Sequence, residues 1–234
     1  MPPRTLVKAD PLAVAVTRAI QRGEVAELGR LLRDHPDLAT AQIVDDDGSA
    51  RTLLHVATDW PGQFPAGVAT VRALVAAGAV IDAPFVGPHR ETPLHWAASA
   101  DDIAVLDALL DAGADIEAPG SVIAGGTALA DAVAFGQWRA ARRLVERGAR
   151  ATLWQAAALG LTAQLEAALA ASPPREAITN ALWCACHGGQ RQTAELLLAH
   201  GGDPEWVGHD GLTPAAAARR SGAHELAAWL QARD

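Results

Sequence analysis

The chain has 234 residues, a net charge of −8 and an apolar half to which seven Trp, three Phe and no Tyr contribute. That length permits a sizeable core, in one long domain or two compact ones. An acidic chain without a Lys/Arg cluster is a poor match for nucleic acid, whose affinity comes largely from phosphate neutralisation, and for an anionic membrane surface.

Residues 1–9 carry two prolines and no periodic pattern, and read as a flexible tail. Asp10 caps a helix that begins at Pro11 and stops near Gly23. The apolar start of that helix is short and lacks a cleavage pattern, so no secretory signal is expected. No apolar run reaches about 18 residues, so no transmembrane helix is expected. A second helix places Val25, Leu28, Leu31 and Leu32 on one face and ends at His35-Pro36. This first pair, residues 10–36, reads as an N-terminal cap.

A turn at Asp45-Asp46-Asp47-Gly48 leads to Thr52-Leu53-Leu54-His55-Val56-Ala57. An insertion, Asp59 to Pro65, holds two aromatics and two prolines and is expected to be stiff and packed. Thr92-Pro93-Leu94-His95-Trp96-Ala97-Ala98 restates the phrase, with Thr92 as N-cap and Pro93 at the first helical position, where a missing N–H costs nothing. Asp101-Asp102 precede its second helix and read as N-capping groups. Further units open at Thr127, Ala151, Asn180 and Thr213, and close on Gly at or near the end of their second helix.

Unit starts fall at 52, 92, 127, 151, 180 and 213, in steps of 40, 35, 24, 29 and 33 residues. A helix pair recurring at this period is a solenoid signature. The phrase Thr92-Pro93-Leu94-His95, its closing Gly113-Ala114-Asp115 and Thr213-Pro214 resemble the ankyrin repeat. The resemblance extends over about residues 10–231. It implies an all-α solenoid of stacked helix–turn–helix units, with first helices lining a concave face beside β-turn fingers. Here the fingers are short or missing. The 24-residue step leaves almost none after Arg147-Gly148, which implies a notch or a bend there. Residues 10–234 are read as a single ankyrin-repeat domain.

In register, with the Thr equivalent as position one, the fourth position reads His55, His95, Ala130, Trp154, Trp183, Ala216. The fifth reads Val56, Trp96, Asp131, Gln155, Cys184, Ala217, and the eighth Asp59, Ser99, Ala134, Ala158, His187, Arg220. The resemblance implies that His55 and His95 bond to the backbone of the neighbouring finger. Trp154 and Trp183 take the His position, either as core filling or as the wall of a pocket. Asp131 stands where an apolar side chain is normal. Burial would raise its pKa, as in acids that work near neutral pH. It is read either as a solvated or capping carboxylate or as a ligand-binding acid/base.

His89 and Arg90 lie in one finger, Trp206 and His209 in another. His89 with Glu91, and His209 with Asp210, are candidate acid/base pairs, against the plainer reading of turn or contact residues. Cys184 and Cys186 are two residues apart on one helix. They neither bridge nor suit a metal, so no disulfide, metal or cofactor is expected and a cytoplasmic location is.

The leading reading is a binding module for a protein partner. The resemblance implies recognition through concave helices and fingers, on a surface including Asp59, Trp60, His89, Arg90, Trp96, Ser99, Phe135, His187, Trp206 and His209. The alternative is a small-molecule site or enzyme. Trp96, Trp154, Gln155 and Trp183 would then line a pocket, and Asp131 would act as acid/base with His89 or His187. A third reading is a scaffold without a ligand of its own.

Overall fold

The computed structural model describes residues 3–233. It divides into two compact units, Met1–Gly148 and Ala149–Asp234, with the boundary at the shortest repeat step. The described residues form fourteen α-helices, paired consecutively, and one small sheet. None of these helices is long and apolar enough to cross a membrane.

The first unit opens with β1 (Thr5–Val7) and the cap helices α1 (Pro11–Arg22) and α2 (Val25–Asp34). Asp10 Oδ1 accepts from Leu12 N at 2.7 Å, and Gly23 closes α1 in the left-handed conformation, as read from the sequence. The expected tail is ordered over β1, which pairs in parallel with β2 (Gln42–Val44), itself antiparallel to β3 (Ala50–Thr52). Leu6 is what anchors it: its side chain is buried while its two neighbours are exposed. Met1 and Pro2 of that tail lie outside the described residues.

Three repeats follow: α3 (Leu53–Thr58) with α4 (Gly67–Ala76), α5 (Pro93–Ser99) with α6 (Ile103–Asp111), and α7 (Ala128–Ala134) with α8 (Trp138–Glu146). Their core is small and aliphatic, with Leu53, Leu54, Leu74, Leu94, Leu106, Leu109, Leu129 and Leu144 fully buried. Leu and Ala let the short helices approach closely and keep helix propensity high.

The second unit holds α9 (Leu153–Leu159) with α10 (Thr162–Ala170), α11 (Arg175–His187) with α12 (Arg191–Ala199), and α13 (Pro214–Arg220) with α14 (His224–Gln231). Where a start at Asn180 is expected, α11 instead begins at Arg175. Pro174 occupies the N-cap and Glu176 the first turn, so the helix initiates earlier than a Thr-Pro phrase would start it.

Candidate functional site

Short ties from first helices to the next repeat fix the geometry of both units. His55 Nδ1 accepts from Thr52 N at 3.3 Å, so its Nε2–H donates to the Glu91 carbonyl, at 3.0 Å. His95 repeats this with Thr92 N at 3.1 Å and the Gly126 carbonyl at 3.3 Å. Glu91 and Gly126 are the residues just before Thr92 and Thr127, so each His holds the base of the following finger. Burial pushes both imidazoles down to about 4, which keeps them neutral and preserves the tautomer. In the second unit Trp183 stands at the same register position, and its indole N–H donates to the Leu212 carbonyl, just before Thr213, at 2.8 Å.

Asp131, on α7, is fully buried. Ser121 Oγ donates to its Oδ1 at 2.5 Å, while Oδ2 finds no hydrogen-bond partner among the described residues. Ile123 N in turn donates to Ser121 Oγ at 2.9 Å, so the carboxyl anchors the finger of its own repeat. Burial, with the nearby Glu91 carboxylate adding to it, pushes Asp131 up to about 7 against the lowering effect of Ser121. Burial also raises Glu91, against the lowering effect of the nearby Trp96 side chain. Trp96 completes the cluster edge-on to His55 at 4.8 Å and tilted on Phe85 at 5.4 Å. Ser121 and Phe85 were not singled out from the sequence, and Glu91 only as a partner for His89. Glu91 precedes the Thr-Pro phrase and could be found from that position; nothing local marks Ser121.

At the far ends of the first helices the picture reverses. The insertion after α3 is pinned on both sides: Gln63 N donates to Asp102 Oδ2 at 2.7 Å, and Pro65 lies against Gly23. Yet Trp60, within it, is 81% exposed. Phe135, the C-cap of α7, is 50% exposed. Trp60, Ala100 and Phe135 occupy the same register position in three successive repeats. Asp59 is partly buried and bonded to Arg51 Nη1 at 2.7 Å. Ser99 is partly buried, and its carbonyl accepts from Gln137 Nε2 at 2.8 Å. Asp102 caps α6 through Val105 N at 3.2 Å, and Asp101 accepts from Ala140 N, on α8, at 2.8 Å. His89 and Arg90 are exposed in the finger before α5.

The second unit gathers Trp183, His187, Trp206 and His209. His209 lies edge-on to Trp183 at 4.9 Å and to Trp206 at 5.9 Å, and His187 is 5.5 Å from Trp183. His209 and Asp210 are not hydrogen-bonded to each other. His209 Nε2 meets Asn180 Oδ1 at 2.8 Å, and Asp210 pairs with Arg220 at 2.5 Å. His187 Nδ1 meets Ser221 Oγ at 3.2 Å. Gln155 is a structural group, its Oε1 accepting from Thr152 N at 2.8 Å and Thr152 Oγ1 at 2.9 Å in a capping box. Gln155, and not Trp154 as expected, thus takes the place of His55 and His95, because the N-cap is Thr152 and not Ala151; Trp154 is partly buried against the core of this unit. Cys184 and Cys186 are free thiols, each pushed up to about 12 by burial. No group of three or more His, Cys, Asp or Glu among the described residues is placed to hold a metal ion.

The family model for the ankyrin repeat matches residues 89–121, from the finger bearing His89 through α6 to Ser121. The fold is similar to that of the human ASB11 ankyrin repeat domain, with a TM-score of 0.53 and 17% identity, over 92% of this chain and 96% of that one. No curated protein matches the chain.

Proposed function

We propose that this ankyrin-repeat protein is a binding module that recognises a protein partner through the exposed ends and fingers of its first-unit repeats. The observation that carries the reading is Trp60, held 81% exposed on a loop that is itself pinned to its neighbours. A large aromatic on a fixed backbone offers contact area at little ordering cost, and such side chains dominate protein interfaces. Phe135 lies two repeats along at the same register position, roughly 16–20 Å away at the usual helix spacing. His89 and Arg90 add a polar finger, and Asp59, Trp96 and Ser99 border the same helices. In the second unit His187, Trp206 and His209 form a candidate patch of their own.

The acidic charge favours a protein over nucleic acid, and two buried free thiols agree with a reducing, cytoplasmic setting. A second reading, a small-molecule or catalytic site with Asp131 as acid/base, draws support from the raised pKa of that carboxyl. Its complete burial, and its bond to Ser121, favour the finger-anchoring role.

The test is affinity capture from the source cell with the wild-type chain, then titration of the captured protein against Trp60→Ala, Phe135→Ala and the double variant. The reading expects losses of about tenfold or more per aromatic. Unchanged affinity in the double variant would overturn it.

A further inference from the structure

Between α6 and α7 the chain forms a finger, residues 119–126, whose root is buried. Gly120, at φ +142°, packs so closely on the preceding finger that an added Cβ would lie on the Arg90 carbonyl, and Arg90 N donates to the Gly120 carbonyl at 3.2 Å. Ser121, next in the chain, is buried, and its hydroxyl donates to Asp131 Oδ1 on α7. His95 holds the far end of the same finger at Gly126. The Glu91 carboxyl, partly buried beside Arg90, lies close enough to Asp131 for each to act on the other. Two carboxyls from successive repeats thus meet under one finger.

Hydrogen bonding and charge decide the protonation of this pair. The one hydroxyl at hand, Ser121, is spent on Oδ1, and Oδ2 meets no donor among the described residues. The ionisable groups around α7 bring no neutralising cation. On the preceding finger stand Glu91 and the exposed His89 and Arg90; on α5 stands His95, kept neutral by burial. Asp115 and Glu117 begin the finger's own connection. On α8, Arg139 and Arg143 are drawn to Asp101 and Asp107, and Arg142 is exposed. The charge that acts most on Asp131 is Glu91, of like sign. A buried carboxylate with one oxygen unmet, beside a second carboxylate, is costly. One proton on Oδ2 removes both costs, because the neutral acid becomes a donor facing an acceptor.

We propose that Asp131 and Glu91 form a proton latch: a proton on Asp131 Oδ2, donated to the Glu91 carboxylate, holds the finger 119–126 on the preceding repeat, and its loss to solvent frees that finger. Ser121 bonds Oδ1 in either state. Without the proton, two like charges share a buried site, and opening the finger relieves them by hydration. The folded carboxyl sits above its ordinary value, so the latch is fully closed in acid and is lost as pH rises through about 7. The device is independent of the partner surface proposed at Trp60 and Phe135.

Two measurements on the full chain test it. Carboxyl carbon-13 shifts, followed by NMR from pH 3 to pH 9, read the pair directly in the wild type. One of the two carboxyls should titrate with a midpoint near 7, and Glu91→Gln should lower the midpoint of Asp131. Hydrogen exchange at the Ser121 and Ile123 amides, corrected for intrinsic rates, reads the finger. Asp131→Asn is the reference: its amide can donate to Glu91 at every pH while its oxygen still accepts from Ser121, and it keeps both histidines. The ratio of protection in the wild type to that in Asp131→Asn should fall by about tenfold between pH 5.5 and pH 6.5 and level off above about pH 7. Amides of α1 should show no such fall in that ratio. Midpoints near 4 for both carboxyls, a midpoint unmoved by Glu91→Gln, or a ratio constant with pH would each overturn the latch.

Discussion

Trp183 donates its indole N–H to the Leu212 carbonyl at 2.8 Å, the bond that His55 and His95 make from the same register position to Glu91 and Gly126. Two different ring systems thus do one job, holding the residue that precedes the next repeat's Thr. Trp183→Phe keeps a ring in the core but removes one of the two donors to that carbonyl, leaving it with Gly208 N alone at 3.0 Å. It is expected to destabilise the chain by about 0.5–1.5 kcal/mol, the net worth of one hydrogen bond. Trp183→Ala should cost more, about 3–5 kcal/mol, because it also opens a cavity. Urea unfolding followed by circular dichroism checks both. Equal midpoints for Trp183→Phe and wild type would mean the bond contributes nothing.

Opposed titrations shape the pH dependence of the first unit. Asp131 rises from 3.8 in the unfolded chain to about 7 in the folded one, so its contribution is full below pH 3.8 and is lost as pH rises through about 7. His55 and His95 fall from 6.5 to about 4, so theirs is present above pH 6.5 and lost as pH falls through about 4. Between these limits the effects offset. Asp131→Asn removes one side of the balance, so the stability of that variant should climb with pH more steeply than wild type, by on the order of a few kcal/mol between pH 4 and 7. Denaturant titrations at pH 4.5 and pH 7 measure this. Parallel profiles would place the Asp131 carboxyl in an ordinary, solvated state.

The two cysteines are expected to be inert in the folded chain. With both thiols pushed up to about 12, almost no thiolate is present near neutral pH. A disulfide reagent such as 5,5′-dithiobis(2-nitrobenzoate) should label neither within minutes, and both after addition of denaturant. Prompt labelling of the native chain would contradict their burial.

Close packing of successive repeats in the second unit is testable at Gly188. Its backbone is in the right-handed region, so a side chain there carries no conformational penalty. An added Cβ would nevertheless lie on the Ala158 carbonyl at the end of α9. Gly188→Ala should therefore destabilise by about 1–3 kcal/mol through overpacking alone. A neutral or stabilising effect, as expected for Gly to Ala at an open helix end, would mean α9 and α11 end farther apart.

The repeat phrase was legible because its physics is local. Thr92, Pro93 and His95 cap and start a helix within four positions, and His55 and His95 kept the finger-holding role expected of them. Asp131 stood out because a carboxyl interrupts an apolar register. Ser121 did not, and Glu91 stood out only as a partner for His89, since the approach of both to Asp131 depends on the path of two fingers. The start of α11 was misplaced at Asn180 because the unit has no Thr-Pro phrase and Pro174 caps it instead. The strand at Thr5–Val7 was read as tail because three residues are too few to show a period; its order comes from pairing with Gln42–Val44. The insertion was correctly read as packed, but its outward-facing Trp60 depends on contacts with Asp102 and Gly23 from two other repeats.

The most direct test of the account is a titration of the captured partner against the Trp60→Ala/Phe135→Ala double variant, with folding verified by an unchanged thermal transition. Both side chains are largely exposed, so stability should move by no more than about 0.5 kcal/mol while affinity falls by about a hundredfold. Affinity equal to wild type in a fully folded double variant would contradict a partner surface built on these two aromatics.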